Sequence, residues 1–133
     1  MTTTIENAEG KLLRTQGVTA PLGFRAAGIA AGIKSNGKPD LALVFNEGPE
    51  YAAAGVFTSN KVKAAPVLWT QQVLKAGRLR AVVLNSGCAN ACTGPQGFQD
   101  THRTAEELAA ALSNWGTETG AAEVAVCSTG LIG

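Results

Sequence analysis

The spacing of hydrophobic positions divides the chain into two regimes. In the first, short apolar runs alternate with turn residues. Residues 28–34 (GIAAGIK), 41–46 (LALVFN) and 52–58 (AAAGVFT) each have the length of a strand. Asn36-Gly37 lies between the first two, and Asn-Gly is the strongest short hairpin signal because both residues accept positive φ. Glu47-Gly48-Pro49-Glu50 separates the second run from the third. The expectation is an antiparallel meander.

In the second regime the period changes. Residues 65–76 carry Pro66 near the first helical position, Lys75 in the last turn and Gly77 just beyond, which is helix punctuation. Residues 80–85 (RAVVLN) return to strand. After Pro95, the side chains Phe98, Ala105, Leu108, Leu112 and Trp115 recur at helical spacing and share one face. Asp100, Arg103, Glu106, Glu107 and Asn114 fall elsewhere. Thr93 with Gln96 resembles a capping box. Residues 123–128 (EVAVCS) form a last strand. Strands alternating with helices after a meander predict an α/β fold with a mixed sheet and packed helices.

Residues 1–16 read as a flexible polar tail: three threonines and the acidic Glu6 and Glu9 occupy its start, with no apolar core of a leader peptide. The chain has 133 residues, 45% hydrophobic and 16% charged, enough for a core and too apolar for a disordered chain. A formal net charge of +1 removes a general electrostatic pull toward nucleic acid or an acidic membrane. No apolar run reaches bilayer-spanning length. Three cysteines, Cys88, Cys92 and Cys127, without a secretion signal fit reduced thiols in a cytoplasmic protein. The chain stops at Leu131-Ile132-Gly133 directly after an expected buried strand, which reads as a cut through a larger fold.

Several groupings carry possible chemistry. Residues 32–38 (GIKSNGK) approach a phosphate-binding loop, but Pro39 stands where a Ser or Thr hydroxyl is needed, and a strand follows instead of a helix. Cys88, Cys92, His102 and Cys127 lack the paired spacing of a zinc site, and nothing local orients His102 toward Cys92 as a nucleophile pair. From these residues neither a metal site nor a nucleotide site is expected. Residues 85–94 (NSGCANACTG) join a strand to a helix through small and polar residues alone, so backbone can approach a ligand or another segment closely. Thr129-Gly130 ends the last strand with a hydroxyl and an amide unshielded by a Cβ. Two such donors converging on one point can hold a developing oxyanion.

These stretches together resemble the ornithine acetyltransferase family, the ArgJ-type glutamate N-acetyltransferases. The resemblance rests on Gly17-Val18-Thr19-Ala20-Pro21 with Gly23-Phe24, on Ala54-Gly55-Val56-Phe57-Thr58 and on Ala64-Ala65-Pro66-Val67. It continues through Asn85-Ser86-Gly87, residues 89–94 (ANACTG) and residues 126–133 (VCSTGLIG), in one colinear series. Cys88 departs from it, since many members have Asn there.

The resemblance implies that residues 17–133 are the amino-terminal portion of the acetyltransferase α/β domain. The fold it implies is part of a layered α/β sandwich similar to self-processing aminopeptidases. It further implies an arginine-biosynthesis acyltransferase that cuts its own precursor before a threonine, leaving an alpha and a beta chain together, with oligomers expected. The freed threonine takes acetyl from N-acetylornithine and passes it to glutamate, with acetyl-CoA a second donor in bifunctional members. Thr129 and Gly130 match the family's oxyanion-hole pair. The nucleophilic threonine has no counterpart in these 133 residues, and Thr2, on the polar tail, is poorly placed to replace it. The chain alone is therefore expected to be inactive. A different class of reading is a non-catalytic assembly module whose incomplete sheet pairs with a complementary chain through an exposed edge.

Overall fold

The computed structural model describes residues 3–6, 12–15 and 17–132. Within the stretch read as a polar tail, β1 (Thr3–Glu6) pairs antiparallel with β2 (Leu12–Thr15), and the rest of that stretch lies outside the described residues.

A four-stranded mixed sheet follows, in the order β3 (Phe24–Ile29), β4 (Leu41–Asn46), β5 (Ala81–Cys88), β6 (Val124–Leu131). The pairs β3–β4 and β4–β5 are antiparallel, and β5–β6 is parallel. Two helices interrupt the strands: α1 (Ala65–Val73), tightened into a 3₁₀ turn over Leu74–Ala76, and α2 (Gly94–Asn114). Pro66 sits in the first turn of α1, and Gly77 closes its end in the left-handed conformation at φ 67°. The expected α/β architecture with a mixed sheet is the observed one.

Two expectations for the meander need correction. Its first strand lies earlier, at β3, and the connection over residues 30–40 is a long clamped loop in place of a tight Asn-Gly hairpin. Residues 52–58 do not form a strand; only Ala52 makes an isolated bridge, to Arg78. Their side chains are mostly alanine and glycine, which offer little area to bury. The larger Val82, Val83 and Leu84 of β5 take the position beside β4 instead.

The core lies between one sheet face and the helices. Phe45, Ala81, Val83, Val124 and Val126 meet Trp69 and Val73 of α1 and Ala105, Ala109 and Leu112 of α2. The buried line of α2 is Gly97, Thr101, Ala105, Ala109 and Leu112, smaller side chains than the pattern had suggested. Phe98 and Leu108 pack only at its margin, and Trp115 is 82% exposed because the helix ends one residue earlier. Small residues let the helix approach the sheet closely. The expected capping box is also absent: Thr93 donates to Asn90 Oδ1 at 2.6 Å, and Gln96 donates to Asp100 Oδ1 at 3.0 Å.

Helix α1 lies along the outer edge of β6. Trp69 Nε1 donates to the Val124 carbonyl at 2.9 Å, and the Thr70 hydroxyl serves both main-chain groups of Val126. An edge strand leaves such groups unpaired, and burying them without partners costs free energy. Here two adjacent helix residues satisfy them. At the opposite edge β3 is exposed along its length.

Candidate active site

The parallel pair β5–β6 carries the candidate residues Thr129 and Gly130 and their neighbours. Its register sets Asn85 beside Ser128, Ser86 beside Thr129, Gly87 beside Gly130 and Cys88 beside Leu131. Strand side chains alternate between faces. Val124 and Val126 turn to the helices, so Ser128 follows them, while Thr129 faces the other side of the sheet. There Thr129 lines a cleft of about 220 Å³ with Gly28, Asp40, Ala42, Leu84 and Ser86. Thr129 and Gly130 are both exposed.

Main-chain direction matters as much. Val126 presents its N–H and C=O to Thr70, away from β5, whereas the Leu131 carbonyl accepts from Ala89 N–H on the β5 side at 2.8 Å. Gly130 is an exposed residue of β6 with no Cβ to shield its amide. A hydroxyl and an amide thus stand on consecutive residues, open to solvent, at carboxyl ends of sheet strands where ligands commonly bind.

Two glycines make the corner possible. Gly130 has φ 135° and Gly87 has φ 134°, which favours glycine at both positions. A Cβ on Gly130 would lie 2.5 Å from the Gly87 carbonyl oxygen and 2.7 Å from the Cys88 nitrogen, so no side chain fits there.

Two clamps hold the surrounding loops, and neither was read from the sequence. Asp40, 4% exposed, accepts backbone N–H bonds from Ala31 at 2.6 Å and Lys34 at 2.7 Å. The bonds from Lys34 and Ala31 hold its carboxyl below the usual carboxylate range, against the opposing effect of burial. Residues 32–38, the near phosphate-loop, therefore wrap the chain's own carboxylate. An Asp closing a Gly-rich turn was the only available signal.

Asn90, at φ 51°, is the second clamp. Its amide nitrogen donates to the Gly97 carbonyl at 2.8 Å and to Thr101 Oγ1 at 2.9 Å, and its own carbonyl accepts from Ala65 N–H at 3.0 Å. The loop over residues 89–93 is thereby tied to the first turns of both helices; the expected linker over residues 85–94 is shorter, because its first four residues continue β5.

The cysteines and histidine are not brought together. Cys88, Cys92 and Cys127 are free and exposed, and desolvation pushes the Cys127 thiol up, toward its neutral form. His102 stacks on Trp69 with ring centroids 4.8 Å apart and meets Glu106 at 3.4 Å. Among the described residues no group of three or more His, Cys, Asp or Glu is placed to hold a metal ion. No helix among them is long and apolar enough to cross a membrane.

Residues 25–133 match the ArgJ family. The chain belongs to that family. It is 81% identical over 125 residues to the arginine biosynthesis bifunctional protein ArgJ of Mycobacterium leprae, covering 94% of this chain and 31% of the relative. Against the ArgJ protein of Mycolicibacterium paratuberculosis, identity is 79% over 133 residues, covering 100% of this chain and 32% of the relative. The chain thus spans about a third of the length of these curated relatives. Among solved ArgJ structures, the ornithine acetyltransferase of Mycobacterium tuberculosis, complexed with ornithine, superposes with a TM-score of 0.89 at 82% identity. It covers 92% of this chain and 64% of that one. The ArgJ protein of Bacillus halodurans gives a TM-score of 0.76 at 41% identity, covering 87% of this chain and 58% of its own. The α/β arrangement described above is accordingly part of the ArgJ fold.

Proposed function

We propose that this chain supplies the oxyanion-binding corner of an acetyltransferase that moves acetyl from N-acetylornithine to glutamate in arginine biosynthesis, with acetyl-CoA a second donor in bifunctional members. The observation that carries the reading is the consecutive, exposed pair of donors at Thr129 and Gly130, on a strand end built around two glycines. Membership of the ArgJ family and likeness to an ornithine acetyltransferase complexed with ornithine support the substrate class.

In this reading a threonine, freed at a new amino terminus by self-cleavage elsewhere in the protein, attacks the acetyl carbonyl of N-acetylornithine. Its own amine takes the hydroxyl proton. The carbonyl oxygen gains negative charge as the carbon becomes tetrahedral, and the Thr129 hydroxyl and Gly130 amide donate to it. Collapse breaks the C–N bond, ornithine leaves with a proton on its amine, and acetyl remains as a threonine ester. The glutamate amine then attacks the ester and restores the threonine. Donors already in place lower both barriers, because they strengthen as charge develops and need no reorganisation.

The residues of this chain hold the charge, and the complementary chain holds the nucleophile. A protein of the relatives' full length carrying this segment tests the assignment. Thr129→Ala should lower kcat by roughly 10²–10³-fold, the scale of one oxyanion donor, with KM changed far less. An unchanged kcat would remove Thr129 from the chemistry.

A further inference from the structure

We infer that Asp40 and Ile33 are positioning residues for the Thr129–Gly130 corner: the Asp40 clamp seats Ile33 behind Gly87, and Gly87 is the wall behind Gly130. The inference rests on the acetyl-transfer reading and adds two residues to its site.

Each contact in the series is short. The Asp40 carboxylate holds the N–H groups of Ala31 and Lys34, which bracket Ile33. Its main chain is engaged as well: Asp40 N–H donates to Ile29 at 3.0 Å, and its carbonyl accepts from Ser86 at 2.8 Å. Ser86 is the ladder partner of Thr129. One residue therefore grips the loop with its side chain and the end of β5 with its backbone.

Ile33 then fills the space behind Gly87. A Cβ on Gly87 would lie 2.7 Å from Ile33 Cγ2, and a Cβ on Gly130 would lie 2.5 Å from the Gly87 carbonyl oxygen. Ile33, Gly87 and Gly130 form a stack without slack. Glycine backbone is the most conformationally permissive, so two facing glycines cannot hold an amide to a fixed direction by themselves. Charge stabilisation needs donors that are already aimed. The stiffness comes from the β-branched side chain packed against them, and the aspartate keeps that side chain in place. Ile33 is otherwise 45% exposed, so it contributes little to the core.

The test again uses the full-length protein, with kcat and KM measured well below the thermal midpoint. Asp40→Asn weakens the anionic clamp, Ile33→Ala removes the wedge, and Ile33→Val keeps the β-branch and its Cγ2 methyl. We expect kcat to fall about tenfold in Asp40→Asn and Ile33→Ala with KM within about twofold, since small misplacements near the chemistry carry costs of this order. Ile33→Val should match the parent. A parental kcat in Ile33→Ala overturns the inference while leaving the site reading intact. An unchanged kcat in Thr129→Ala alone overturns the site reading and the inference with it. If Asp40→Asn does not fold, the Ile33 pair still decides, since the fold does not rest on that exposed residue.

Discussion

The hydroxyl of Thr70 serves both main-chain groups of Val126, accepting from its N–H at 3.1 Å and donating to its C=O at 2.9 Å. A helix side chain here replaces the missing neighbour strand. Trp69 does the same one step earlier, at Val124. Beyond Val126 the helix no longer covers the edge, and there the strand presents Ser128 and Gly130. The edge is closed where it builds the core and open where the candidate site begins.

Replacing Thr70 with valine keeps the shape and removes both bonds. Two backbone groups would then be buried without a partner, each costing about 1–3 kcal/mol. Thr70→Val should therefore lower unfolding stability by about 2–6 kcal/mol, measured by urea denaturation with the slope unchanged. A loss below about 0.5 kcal/mol would mean that the edge is satisfied in another way.

Asp40 makes acid stability specific. Its carboxyl titrates below the ordinary value of 3.8 in the folded protein, because the ionised form accepts the Lys34 and Ala31 amides. A depressed folded pKa gives stability that is present above the unfolded value and is lost as pH falls through the folded one. Unfolding free energy should thus decline below about pH 4, and Asp40→Asn should show less of that decline while being less stable at pH 7. Parallel acid profiles for the two proteins would contradict the clamp.

Gly97 lies inside α2, where alanine is ordinarily favoured by about 0.8–1 kcal/mol. A Cβ at this position would run into Thr93 Oγ1 and Asn90 Oδ1, which hydrogen-bond each other. Overpacking costs about 1–3 kcal/mol, so the steric effect wins over propensity. Gly97→Ala should destabilise the protein by thermal melting, and a higher melting temperature would refute the packing described for this loop.

On the proposed reading, these 133 residues by themselves should show no acetyl exchange between N-acetylornithine and glutamate, since oxyanion donors need a nucleophile to form an acetyl-enzyme. A protein of the relatives' full length carrying this segment should show exchange. Isotope transfer between the two amino acids reads this directly. Turnover by the chain alone would place a nucleophile within it and displace the reading above.

Much of the architecture was legible in the residue pattern. The run at 41–46, the Pro66-to-Gly77 punctuation and the amphipathic spacing after Pro95 are local signals, and the observed β4, α1 and α2 follow them closely. Residues 52–58 misled because a run of small apolar residues is compatible with a strand yet buries too little to compete for a place in the sheet. Trp115 misled because helical spacing continues past the point where the helix ends.

The candidate site divides in the same way. Residue type made Thr129-Gly130 a weak signal, since Ser-Thr-Gly is also an ordinary turn, and the family resemblance is what singled the pair out. Asp40, Ile33 and Gly87 could not be singled out, because their roles exist only once the loop, β5 and β6 are stacked. Sequence determined which segments form helices and most of the strands, since propensity, punctuation and hydrophobic period act within a few residues. Tertiary structure decided which backbone groups stay paired, which glycines touch and which residues stay exposed. Those outcomes depend on contacts between distant residues, and no local pattern contains them.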